Sequence, residues 1–193
     1  MKNKILFILL IGLFSLNSCD VLQQASDVAQ FVQCDFSLDH VKVEKIGGVS
    51  LTNIKKPEDL GVINMMSLTQ QVLAGSLSTT LNVGIKATNN QSLKAGISGL
   101  DWELYMKENK YGAGMINESV EILPYNSTIF PVTVEFDLLK LVTSDNIQQI
   151  LDLVFDIDNK EKLNQLDLQL RLKPFYKIGS QVQEYPGFIT IRP

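Results

Sequence analysis

The chain has 193 residues, 45% of them hydrophobic, with 17 basic and 21 acidic side chains and a formal charge of −4. That length supports one domain with a substantial core and is too short for two comfortable ones. The acidic balance argues against nucleic acid as a partner and against a polybasic grip on anionic lipid.

Lys2 and Lys4 give a short basic start, and Ile5 to Phe14 is an apolar run interrupted only by Gly12. A spanning helix needs about 18 or more such residues, so the run has the length of a signal-peptide core. It ends in Leu16-Asn17-Ser18-Cys19, which resembles the bacterial lipobox: leucine three residues before an invariant cysteine, with a small residue just before it. The resemblance implies a lipoprotein signal peptide over 1–18, cleavage before Cys19 and lipidation of its thiol with fatty acyl groups such as palmitate. An ordinary secretory signal, with Cys19 a bystander, is the plainer alternative. Cleavage removes Lys2 and Lys4 and no acid, leaving 15 basic against 21 acidic residues, a formal −6. The expected location is the bacterial cell envelope, as a membrane-anchored lipoprotein facing the periplasm or the surface. With Cys19 acylated, Cys34 has no partner, and a Cys19–Cys34 disulfide would contradict acylation.

Residues 19–34 carry apolar side chains at Val21, Leu22, Ala25, Val28, Ala29 and Val32, which predicts a short helical tether. Its polar face has no basic residue, which disfavours a helix lying on a membrane. Two strands follow, Asp35 to Lys45 and Val49 to Ile54, separated by Gly47-Gly48. A change of parity predicts an irregularity near Asp39-His40. Val62 to Ala74 has helical spacing, with Val62, Met65, Met66, Leu68, Val72 and Leu73 apolar and Gly75 as a stop; core packing is the expected use of this Met-rich stripe, and lining a ligand groove the rarer one. From Ser76 onward Leu77, Leu81, Val83, Ile85 and Ala87 alternate with polar residues, a half-buried strand.

After the turn Asn89-Asn90-Gln91-Ser92, a strand through Leu93, Ala95 and Ile97 switches parity to Leu100, Trp102, Leu104 and Met106. A bulge at Ser98-Gly99 is the expected cause. Beyond Pro124-Tyr125 a strand turns Phe130, Val132, Val134 and Phe136 inward. Ser144 and Asp145 cap a predicted helix bearing Ile147, Ile150, Leu151, Val154 and Phe155. Leu166, Leu168, Leu170 and Leu172 form the cleanest alternation, and a hairpin at Gly179-Ser180 leads to a last strand through Phe188, Ile189 and Ile191. The sum is a mainly β, antiparallel immunoglobulin-like β-sandwich over 35–193 with one or two covering helices.

Several of these pieces together resemble the late-embryogenesis-abundant type 2 domain, also called the water-stress and hypersensitive-response domain. They are Ala87-Thr88-Asn89-Asn90-Gln91, Gly99-Leu100-Asp101-Trp102-Glu103-Leu104, Tyr111-Gly112-Ala113-Gly114, and Leu123-Pro124 leading into Phe130-Pro131-Val132-Thr133-Val134. Asn90 stands where that family usually has proline. The resemblance implies a non-enzymatic, stress-related domain with no catalytic motif; the 45% hydrophobic content and strict strand alternation predict that it is folded.

Chemistry-bearing constellations are scarce. His40 is the lone histidine and no Gly-x-Ser-x-Gly elbow accompanies it, so a solvent-facing residue is expected. Asp152, Asp156, Asp158 and Glu161 begin like a calcium loop, but Lys160 takes a ligand position and the required glycine is missing. Gly112-Ala113-Gly114 lacks the helix that a phosphate loop needs. No catalytic residue, metal site or cofactor is therefore expected. The expected function is that of an anchored monomer binding or protecting an envelope component, either an envelope protein or a lipid. The alternative is a carrier that holds an apolar molecule between its sheets, with Met65 and Met66 near the mouth.

Overall fold

The computed structural model describes residues 18–142 and 146–193, without the side chains of 18–21 and 160. The signal segment, the Cys19 thiol and the Ser144-Asp145 cap lie outside the described residues. The elements run α1 (Ser18–Phe31), β1 (Asp35–Ile46), β2 (Val49–Ser50), α2 (Gly61–Leu73), β3 (Ser78–Asn89), β4 (Ala95–Ile97), β5 (Gly99–Met106), β6 (Asn109–Ile116), β7 (Val120–Ile122), β8 (Asn126–Asp137), α3 (Ile147–Phe155), α4 (Lys160–Gln165), β9 (Leu168–Ile178), β10 (Gln181–Glu184) and β11 (Ile189–Ile191). The expected mainly β, antiparallel sandwich is what forms. One sheet has the order β2-β1-β3-β8, the other β10-β9-β5-β6 with β11 on β9, and β4 pairs with β7 in a small third sheet. Four α-helices accompany them among the described residues: the expected tether helix α1, the two expected covering helices α2 and α3, and the short α4, which the sequence did not signal.

The alternation read from the sequence sets the core. Leu81, Val83, Ile85 and Ala87 of β3 and Val132 and Val134 of β8 face Leu100 and Leu104 of β5 and Leu170 and Leu172 of β9, all fully buried. β8 is an edge strand, where Pro131 can lack its N–H. β6 comes up beside it: a Cβ on Gly112 would meet Val134 Cγ1 at 3.3 Å. The two sheets thus curl toward closure along that side.

Helices close both ends. Phe31 of α1 is fully buried and packs edge-on against Phe36 at 5.2 Å between ring centroids. α1 lies on β4 and β9. At the other end α2 seats Leu68 against the β1–β2 turn, where Gln71 Nε2 donates to Gly47 O at 2.9 Å. α2 stops in a Schellman arrangement, with Gly75 N donating to Val72 O and Ser76 N to Gln71 O, and Gly75 at φ +80°.

Several expectations need correction. The parity switch at Ser98-Gly99 is where the chain changes sheets, because β4 pairs with β7 while β5 joins β9 and β6. Leu93 is 55% exposed and belongs to no strand. The strand expected to Ile54 ends at Ser50. Leu166 follows the short helix α4, and β9 starts at Leu168. α3 is capped by Asn146, whose side chain accepts from Gln148 N. The expected irregularity in β1 is present, with register shifting between Leu38 and His40.

Candidate functional site

α2 is the element that departs furthest from its predicted packing. Of its apolar residues only Leu68 and Val72 are buried. Val62, Ile63, Met66 and Leu73 are 79%, 85%, 61% and 78% exposed, so of the apolar residues expected to pack, Leu68 and Val72 join the core, Met65 lies against it, and Val62, Met66 and Leu73 face solvent. No residue of Gly61–Leu73 carries a charge. The exposed stripe follows helical spacing from Ile63 through Met66 to Leu73, along the face opposite Leu68 and Val72. Beside it runs an open groove of about 340 Å³, lined by Pro57, Glu58, Gly61, Val62, Met65 and Gln148. Large apolar side chains exposed together on one element are a mark of interaction surfaces.

The residues singled out for chemistry do not converge. His40 pairs across β1–β3 with Gly84 and lays its ring there; a Cβ on Gly84 would sit 2.3 Å from His40 Cε1. The bulge brings Asp39 to the same side, with Asp39 Oδ2 at 2.7 Å from His40 Nδ1. No serine hydroxyl is bonded to the ring among the described residues. The acidic cluster is used structurally. Asp158 accepts from Val41 N at 3.1 Å, Asp156 pairs with Lys162 at 2.6 Å, and Asn159 caps α4. No group of three or more potential metal ligands gathers among the described residues.

Cys34 is buried with its thiol 3.6 Å from Gln30 O; burial, helped by the charge of Asp35, pushes it up to about 11. Such a thiol is a poor nucleophile. Twelve residues of α1 separate Cys19 from Phe31, about 18 Å of helix, so α1 keeps Cys19 out of disulfide reach of Cys34.

A charged ladder covers the outer face of the second sheet. Lys110 Nζ donates to Glu103 at 2.6 Å, and Arg171 lies 4.2 Å over the Tyr105 ring. The Lys110 hydrogen bond, against the cost of desolvation, lowers the Glu103 carboxyl, and Tyr105 adds to the effect. Burial raises Asp101, as does the nearby charge of Glu184. Most charges of this face are paired with one another, and most of its side chains are half-buried.

Asp27, Thr79, Asn89 and Gln169 are buried polar residues that the sequence did not single out, and Asn89 is the most fully enclosed. Asn89 is fully buried where β3 ends, with Nδ2 at 2.8 Å from Leu93 O, 3.2 Å from Ile122 O and 3.3 Å from Leu123 O, while Oδ1 accepts from Gln91 N. It ties the β3–β4 turn to the β7–β8 turn. In the latter Tyr125 holds φ +55° after Pro124, and Asn126 N donates to Leu123 O. The sequence offered only a polar strand end, which is the ordinary signature of an exposed turn.

No family model matches the chain, and none of the curated proteins does. Among solved structures, one from Archaeoglobus fulgidus is similar at 17% identity and a TM-score of 0.33, over 80% of this chain and 94% of that one. A solution structure of an Arabidopsis thaliana protein is similar at 12% identity and a TM-score of 0.32, over 82% and 75% respectively. At those values neither likeness bears on what this chain does.

Proposed function

We propose that the chain is a lipid-anchored envelope protein of the late-embryogenesis-abundant type 2 kind, without catalytic machinery, that binds an envelope component through α2. The exposure of Val62, Ile63, Met66 and Leu73 carries this reading, because an uncharged helix with half its apolar residues in water gains by being covered. The lipobox-like Leu16 to Cys19 supports the anchor. An envelope protein is the favoured component. The carrier reading has less support, since the inward side chains of both sheets are buried against one another and an apolar guest would have to displace them.

A photo-crosslinking residue placed at Ile63 in the intact cell should give one discrete adduct, and the same residue at Thr133 on the outer side of β8 should give none. Ile63→Asp should abolish both the adduct and complementation of a deletion strain while leaving the unfolding midpoint unchanged. Full complementation by Ile63→Asp and Met66→Asp together would count against α2 as the binding face. Stoichiometric lipid released from the purified protein would favour the carrier.

A further inference from the structure

We infer that the end of the sandwich closed by α1 sits against the lipid surface, with Leu93, Leu123 and Tyr125 entering the headgroup region. The inference rests on acylation of Cys19. α1 begins at Ser18 and runs without a linker onto β4 and β9, so no slack chain separates the acylated residue from the domain. Eight residues of helix, about 12 Å, lead from Cys19 to Asp27. Asp27 is 8% exposed and paired with Lys94 at 3.2 Å, and Lys94 is the neighbour of Leu93. An anchor so short selects which end of the domain meets the membrane.

That end is also the one with apolar side chains on its tips. Leu93 and Leu123 are each 55% exposed and Tyr125 is 74% exposed. Their backbones are held near one another, because Asn89 Nδ2 reaches the carbonyls of both Leu93 and Leu123 and Tyr125 follows in the turn after Pro124. A tyrosine with two leucines suits the boundary between headgroups and acyl chains, where an amphipathic ring keeps its hydroxyl wet. Of the cations at this end, Lys94 is already shared between Asp27 and Glu121, and Lys177 lies 5.8 Å over the Phe175 ring. Contact is therefore apolar, and it should be alike on zwitterionic and anionic bilayers. α2 lies at the other end of twelve-residue strands, roughly 40 Å away, and is left free for a partner.

The test uses the acylated protein purified from membranes and reconstituted into phosphatidylcholine vesicles brominated close to the headgroup. Tyr125→Trp and Leu123→Trp each add an exposed reporter over the constant signal of Trp102, and Val62→Trp supplies a control on α2. The added emission at 125 and 123 should shift to the blue and be lost to bromine quenching, while that at 62 stays unchanged. Protein that floats with vesicles but leaves both reporters unquenched overturns the docking and spares the anchor. Wild-type protein that fails to float overturns both, and quenching at 62 without quenching at 125 reverses the proposed orientation.

Discussion

Asn89 shows how much a single amide can organise. Its buried NH2 serves carbonyls from two turns, so Asn89→Ala leaves acceptors unsatisfied and should cost on the order of 3 kcal/mol, read from denaturant midpoints. Asn89→Asp should do worse at neutral pH, because a carboxylate would face carbonyl oxygens. Trp102 illustrates the opposite chemistry. It is 7% exposed over Gly114, its cross-strand partner, and a Cβ there would meet the indole at 2.6 Å. Trp102→Ala should cost about 3–5 kcal/mol, and native emission should be blue-shifted. Asp137 adds a pH dependence. Burial raises its carboxyl, but the N–H groups of Leu77 and Leu139 more than offset this, helped by Ser76 and Lys140, and the net direction is down. A folded-state value below the unfolded one gives stability that is present above the unfolded pKa and lost as pH falls through the folded one. Asp137→Ala should therefore destabilise by about 1–2 kcal/mol near pH 7, with the gap from wild type closing in acid.

The strands were legible where one face is buried and the other wet. In β3, β8 and β9 each apolar residue of the alternation is needed by the core, so period two survives in the sequence. The β5–β6 hairpin was not legible. Its turn places Lys107 at φ +47° and Glu108 at φ +66°, both left-handed, with neither the asparagine nor the glycine that signals such a turn. β6 itself carries Gly112 and Gly114, poor strand formers whose missing side chains make room for Trp102. Replacing Lys107-Glu108 by Asn-Gly should raise stability by about 1 kcal/mol, checked by thermal unfolding, since L-residues pay for that backbone region. α2 misled for the reverse reason. A helical stripe shows that a face is apolar but not what covers it, and periodicity alone could not separate the Leu68–Val72 face from the Ile63–Met66 one. The candidate surface was thus visible in composition and misassigned in role.

Taken as one body, the molecule has, in the proposed reading, a membrane-facing end and a partner-facing end separated by a packed sandwich. No described helix is long and apolar enough to cross a membrane; in the proposed reading the main attachment is the acylated Cys19. Two or more acyl chains, at about 0.8 kcal/mol per buried methylene, hold it there almost permanently. Between the ends lies a continuous buried core, from which folding without drying, partner or membrane is expected. Cys19→Ala should therefore yield a soluble, fully folded domain with the wild-type unfolding midpoint, no fatty-acid label and no complementation of a deletion strain. His40→Ala should keep activity, because the ring covers Gly84 and meets only Asp39, and no proton transfer is being removed. The pair of variants separates the classes of function. Complementation by the soluble Cys19→Ala form would point to a free periplasmic carrier, since shape without address would suffice. Activity lost on His40→Ala at unchanged stability would point to an enzyme. Loss with Cys19→Ala alone, at full stability, is the outcome a membrane-held binding domain requires.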